Sequence, residues 1–540
     1  MHSNKNQASR KSDTDKEVDA DTQRTDKTSN LNPINHYSGR KIRKSMWHYL
    51  LGRGMAAIGS LAVALLLIRV LPVEVYGAYT TLGGLLVTLS IISDAGLDRV
   101  LPKFLPLLRI ANAESQLARL CWKLLGLRTV FIVILLIPVV LAPHWISSLL
   151  SIDNGTELIW PFVLYGVMWV ISTQLGRTLQ VLLQHGVVAK SMILEWFTKL
   201  AALVIFLLYT GTLPLVYVTW VQAVTIGLGM LYLMIHLQRH LKKFAKAAHF
   251  PSGEADIPRQ RLLTFAWHNY LPILITIGLS EGTIKLISAY YLGITQTASL
   301  GFAYAIAGLL RQYLPAVLLL GLIEPAFMAR YNEQRDFTIL NEMASIVVKS
   351  NVFLLAPITV WLLLSGTPLI GLITGGKYLD TVWLLVGFMV ALILYSHFVV
   401  LQLIANAVDE SWLLTKCQLW AVLLAIAEIA AMIFYGLPGL LAGTLALAIF
   451  RNVYLSVSLR SKNYPYKPDS QGLMRIVILA VVAGLIGGQV MRWSPGISGS
   501  LLALILTVVS FLSLAYLWKP FKDKERELLN RFMGREIFIW

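Results

Sequence analysis

Arg53, Arg177, Lys199, Lys285 and Arg311 are basic residues that stand inside long apolar runs of this 540-residue chain. Three carboxylates share that setting: Glu195, Glu281 and Glu428. An ionisable side chain in hydrocarbon is costly unless it faces protein or water, so each is a candidate for function. The arginines suit oxyanions, because a planar guanidinium makes two parallel charge-assisted hydrogen bonds. Arg311 lies about twelve residues into its run, near mid-bilayer depth, and Lys199 is similarly deep. Arg53 and Arg177 sit nearer the run ends, where their stems can also snorkel to head groups. Glu281 with Lys285, and Glu195 with Lys199, are four apart and share a helix face, the spacing of a structural ion pair. Glu428 has no cation within a helical turn. It is expected to hold a proton at neutral pH, which makes it a candidate proton or sodium site.

The elements that must position these groups follow from composition. Hydrophobic residues make up 56% of the chain and charged residues 14%, far from the balance of a soluble domain. Apolar runs of 18 or more residues are the mark of spanning helices, in which every backbone amide pairs within the segment. About fourteen such spans are predicted. They fall near 47–70, 77–98, 120–142, 158–183, 187–209, 213–236, 263–291, 299–323, 344–371, 380–405, 412–435, 437–459, 473–493 and 498–518. The expected fold class is all-α and polytopic: two six-helix bundles plus two C-terminal helices.

The Lys/Arg distribution tests this count. With the N-terminus inside, the even connections carry Arg99, Lys103, Arg109 and Arg119, then Arg239 through Arg261, Arg330 and Arg335, and Arg460, Lys462 and Lys467. The opposite face shows Arg69, Lys377 and Arg492. That asymmetry puts both termini on the cytoplasmic side and accounts for the net charge of +17 without nucleic acid. Residues 1–45 are polar and expected to be disordered. Residues 46–240 form the first bundle, 241–262 a basic linker, 263–460 the second bundle, 461–518 two added spans and 519–540 a basic tail. Gly77 and Gly301, Gly84 and Gly308, and Trp196 and Trp420 recur at a shift of about 224 residues, which is six spans and therefore a parallel repeat.

Several chemistries are excluded. The two cysteines, Cys121 and Cys417, lie in or beside apolar runs and make neither a disulfide framework nor a Cys-based metal site. His185, His236, His268 and His397 show no ligand spacing, and no P-loop occurs. The outer connections are short, the longest being 142–157, which leaves no room for an external catalytic domain.

Ordered short motifs then carry a family resemblance. The stretch Arg69-Val-Leu-Pro-Val-Glu-Val-Tyr-Gly-Ala-Tyr, the Ala95-Gly-Leu-Asp-Arg that follows, Ala289-Tyr-Tyr-Leu-Gly through Ser299-Leu-Gly-Phe-Ala-Tyr, Pro368-Leu-Ile-Gly-Leu-Ile-Thr-Gly-Gly-Lys-Tyr and Tyr435-Gly-Leu-Pro-Gly-Leu-Leu-Ala-Gly come in the order seen in polysaccharide flippases. Over most of 47–460 the chain resembles the multidrug/oligosaccharidyl-lipid/polysaccharide (MOP) exporter superfamily. The resemblance implies two six-helix bundles around a cavity that opens alternately to each side of a bacterial inner membrane. It implies a non-enzymatic flippase that exports a polyprenyl-diphosphate-linked glycan. Arg53, Arg177, Lys199, Lys285 and Arg311 would then hold the substrate, and Glu281 and Glu428, on the seventh and eleventh spans, would couple to H+ or Na+. No cofactor is expected beyond that ion. Membrane lipids, a polysaccharide polymerase and glycosyltransferases are the expected partners. A cation-coupled multidrug antiporter of the same fold is the nearest alternative. A membrane glycan polymerase or ligase is a remoter one, since it would need the large external loop that is missing.

Overall fold

In the computed structural model the described residues are 39–110, 114–149, 155–247, 258–314, 316, 336–533 and 538–540. The polar segment 1–38, the centre of the basic linker and residues 317–335 lie outside them. Helices α1 (Gly39–Val70), α2 (Val73–Asp94), α3 (Leu97–Ile110), α4 (Glu114–Leu141), α5 (Pro143–Leu149), α6 (Ile159–Val181), α7 (His185–Thr210) and α8 (Leu215–Ala247) make the first half. The second half holds α9 (Arg259–Thr276), α10 (Glu281–Tyr291), α11 (Ile294–Tyr313), α12 (Phe337–Ser365), α13 (Thr367–Thr374), α14 (Val382–Ala407) and α15 (Trp412–Ser461). Then follow α16 (Ser470–Gly488), α17 (Val490–Trp493), α18 (Ile497–Trp518) and α19 (Asp523–Met533). No strand occurs among the described residues.

Among the described residues, twelve helical stretches are long and apolar enough to cross a membrane. One of them, α15, runs for 50 residues, but Gly436 breaks it at φ 68°, ψ −149°, so its two arms are separate spans. Only glycine adopts that backbone without strain. Each of the fourteen expected spans therefore coincides with a helix, α11 being the described part of the eighth. Large apolar side chains on the outer faces stay uncovered, Leu208 by 81% and Phe434 by 80% among them. Apolar exposure on this scale marks a surface made for lipid.

The two halves repeat. Helices starting at Val73, Glu114, Ile159 and His185 are matched by helices starting at Ile294, Phe337, Val382 and Trp412, all offset by a little over 220 residues. The halves meet most closely where α2 lies against α10 and α11. A Cβ on Gly84 would stand 2.9 Å from the Gly282 carbonyl oxygen, and one on Gly282 would stand 2.6 Å from that of Gly84. Glycine at both positions is what lets the two backbones touch.

Two segments outside the expected spans are also helical. Helix α3 buries Leu97, Val100, Leu101, Phe104, Leu105 and Leu108 against the first half and turns Arg99 and Lys103 outward. That three-and-four spacing makes an interfacial amphipathic helix. At the other end of the chain, α19 lies within the basic tail.

Candidate functional site

A cavity of about 210 Å3 lies within the second half, bounded by α10, α11, α14 and both arms of α15. It brings together Glu281 from α10, Arg311 from α11, and Glu428 and Arg451 from opposite arms of α15. Tyr304, Phe388 and Tyr395 supply aromatic wall. Three of the seven sequence-predicted residues thus converge. Lys285 joins them indirectly: its Nζ donates to Glu281 Oε1 at 2.6 Å and stands 5.5 Å from the centre of the Tyr304 ring.

Each acid in the cavity has a defined neighbour. Glu281 is paired with Lys285, one helical turn on. Glu428 is 3% exposed and accepts a hydrogen bond from Thr444 Oγ1 at 2.6 Å. The kink at Gly436 folds the arms of α15 together so closely that a Cβ on Gly443 would stand 2.7 Å from Glu428 Cγ. The bases are held more loosely. The Arg311 guanidinium lies 5.8 Å from the Tyr395 ring centre and is exposed. Arg451 donates to Gln418 Oε1 at 3.1 Å and its guanidinium stands 5.5 Å from the Phe398 ring centre. A cation over an aromatic face keeps its hydrogen-bond donors available to a ligand.

The remaining predicted residues lie elsewhere. Lys199 is 2% exposed, donates to Glu195 Oε1 at 3.1 Å and stands 4.3 Å from the Trp196 ring centre, all on α7 of the first half. Arg177 is exposed, with Nε 4.0 Å from Asp98 Oδ2. Arg53 is half-buried on α1, next to Gly52, which abuts Ala189 of α7. None of the three lines the cavity.

Sequence reasoning passed over Arg451, and also two other buried cations. Arg128, on α4, is 4% exposed and donates to Asp98 at 2.8 Å and Gln174 at 2.5 Å, with Asp94 3.6 Å away. Lys349, on α12, is fully buried and meets Glu525 Oε2 at 2.7 Å, Asp469 Oδ2 at 2.5 Å and the Pro520 carbonyl at 3.2 Å. Burial pulls the Asp469 carboxyl up, but the hydrogen bonds from Lys349 and the Gly472 amide, with the charges of Lys349 and Lys522, more than reverse it. Asp469 therefore titrates below the usual carboxylate range. This cluster fastens α19 to the second half.

Away from the cavity, on the face where only Arg69, Lys377 and Arg492 were expected, two of those cations join the halves. Lys377 Nζ donates to the carbonyls of Arg69 at 2.8 Å and Leu71 at 2.7 Å, and Arg69 Nη1 donates to the Leu372 carbonyl at 3.0 Å. Behind this latch Tyr378 stacks on Phe302, with ring centres 5.3 Å apart. Loss of water around Lys377 holds its ammonium below the ordinary lysine value.

No protein-family model matches the sequence, nor does any curated protein sequence. Solved structures do. The lipid II flippase MurJ in an inward closed conformation gives a TM-score of 0.62 at 13% identity, covering 90% of this chain and 99% of that one. A Vibrio cholerae MATE transporter, VcmN, gives 0.52 at 15% identity, covering 81% and 100%. An inward-facing multidrug resistance MATE family transporter of the MOP superfamily gives 0.50 at 13% identity, covering 77% and 95%. At such identities the likeness is one of fold: the chain shares its helical architecture with this flippase and these transporters.

Proposed function

We propose that the protein is a flippase that carries a polyprenyl-diphosphate-linked oligosaccharide from the cytoplasmic to the periplasmic leaflet of a bacterial inner membrane, by alternating access. The convergence of Arg311 and Arg451 on one cavity carries this reading. A diphosphate is the part of such a substrate that hydrocarbon rejects most strongly, and two guanidinium forks answer it. Glu281 and Glu428 share the cavity with the two arginines. Lys285 neutralises Glu281. A proton on Glu428 then leaves two uncompensated positive charges, which suits an anionic head group. In this scheme Glu428 is the coupling site, and no bond of the substrate is made or broken.

The Arg69–Lys377 latch closes the face opposite the basic connections, which supports reading this as a state shut toward the periplasm. Lys199, Arg177 and Arg53 would act on the substrate in other states of the cycle.

The acidic and aromatic lining of the same cavity supports a second reading, a cation-coupled drug antiporter. One experiment separates the two. The protein is reconstituted in vesicles, and the transfer of a fluorescent polyprenyl-diphosphate glycan is followed by its accessibility to an external lectin. Arg311→Ala and Arg451→Ala should each slow transfer roughly tenfold or more, the worth of a charge-assisted hydrogen bond. Transfer at the unaltered rate in both variants, or transport of lipophilic cations in place of the glycan lipid, overturns the flippase reading.

A further inference from the structure

Beside α3, α4 and α9 the surface holds two adjoining hollows, of about 360 and 520 Å3, that share Leu97, Leu127, Leu263 and Ala266 as lining. Together they form one groove at the seam between the halves, separate from the cavity described above. Its outer part carries Arg119, Lys123 and Arg259, and its inner part runs on to Leu135, Trp267 and Tyr270. No carboxylate lines either part among the described residues. The walls between are apolar, and Trp267 is 56% exposed within them. The floor is well defined. Gly96, at φ 77°, lets the turn between α2 and α3 lie against the Ala266 carbonyl, and Tyr270 Oη donates to the Ile92 carbonyl at 2.6 Å.

We propose that this groove is a binding site for one anionic glycerophospholipid, with an acyl chain along α4 and α9 and its phosphate among Arg119, Lys123 and Arg259. A basic rim over an apolar slot between spans is the arrangement that retains an anionic head group. Length selects the kind of lipid. From Lys123 to Leu135 the slot follows α4 for about 18 Å. That is close to one leaflet, half of a hydrocarbon core of about 30 Å. An acyl chain ends at that depth, whereas a polyprenyl chain overruns it. The lipid would touch α4 and α3 from the first half and α9 from the second, so its presence favours the seam being closed at the basic end. The site does not depend on what the protein transports.

The test uses the full chain in phosphatidylcholine vesicles. Trp267 is one of 15 tryptophans, so its fluorescence is isolated as the difference between the unaltered protein and Trp267→Phe. Brominated acyl chains quench a tryptophan that they touch. Brominated phosphatidylglycerol should quench Trp267 severalfold more than brominated phosphatidylcholine at the same mole fraction. Replacing the three exposed cations together (Arg119→Gln, Lys123→Gln, Arg259→Gln) should abolish that preference. Native mass spectrometry of the same two proteins should show retained phosphatidylglycerol only on the unaltered one. Equal quenching by both lipids, or a preference that survives the triple substitution, overturns the proposal. Displacement of the brominated phosphatidylglycerol by a far smaller amount of a polyprenyl phosphate also overturns it, by making the groove a seat for the longer chain.

Discussion

Glu428 and Arg451 sit on opposite arms of one bent helix, and their roles separate by charge. Glu428→Gln keeps the hydrogen bond with Thr444 but fixes the neutral form. It should leave substrate binding intact and remove the dependence of transfer on a proton or sodium gradient; a gradient response equal to that of the unaltered protein would exclude Glu428 from coupling. Lys349 gives a stability prediction. Truncation to alanine strands Asp469 and Glu525 beside each other, and breaking a buried pair of this kind costs about 3–5 kcal/mol. A detergent melting curve of Lys349→Ala should move accordingly. The Asp469 carboxyl titrates lower in the folded protein than in the unfolded chain. Its stabilising contribution is therefore complete above the ordinary aspartate value near about 4 and is lost as pH falls through the lower folded value. These residues also show what the sequence could and could not yield. Lys199 and Lys285 were selected as cations inside apolar runs, each with an acid four residues before it, and both of those ion pairs form. Arg128 and Lys349 stand in apolar runs as well, but their partners come from distant chain: Asp98 is 30 residues off and Glu525 is 176. A single sequence carries no sign of such distant pairing.

Helices long enough to span were legible because apolar length is a strong, local signal. The amphipathic α3 was not recovered, although its buried leucines follow helical spacing. Pro102, Pro106 and the clustered cations read as a connection, and only the flanking spans give those leucines something to cover. The bend of α15 was placed correctly between two spans, but nothing in the sequence indicated that the arms would press Glu428 against Gly443. Where α2 crosses α10, the close approach of Gly84 and Gly282 makes a test at this scale. Gly282→Leu must push the helices apart, since even a Cβ there stands 2.6 Å from the Gly84 carbonyl and 2.7 Å from the Thr88 hydroxyl. Overpacking of this sort costs about 1–3 kcal/mol. The variant should melt earlier and transfer substrate more slowly; unchanged melting would mean that the halves are not in contact along this line.

At the level of the whole molecule, the parallel repeat was legible from glycine and tryptophan spacing, and helix starts at a common offset match it. The position of the cavity within one repeat was not. Apolar text repeats because bilayer thickness is the same for both halves, whereas the residues that line the mixed-charge cavity come from the second half. Charge within spans was therefore a sound guide to candidate residues and a poor guide to which of them would meet.

The Arg69–Lys377 latch has a consequence for how the outside medium acts on the protein. Lys377 is held by the carbonyls of Arg69 and Leu71, and its ammonium holds its proton less firmly than a free lysine does. Keeping it charged in that place works against the sealed form, and the strain fades as alkali removes the proton, because a neutral amine still has two hydrogens for two carbonyls. Over the alkaline range in which Lys377 exchanges its proton, a falling pH should ease the gate and a rising pH tighten it. A cysteine placed at Val73, read by a membrane-impermeant maleimide against a background of two buried native thiols, should label increasingly fast relative to the same cysteine in Lys377→Met as the pH falls through the alkaline range, the ratio cancelling the thiol's own loss of reactivity.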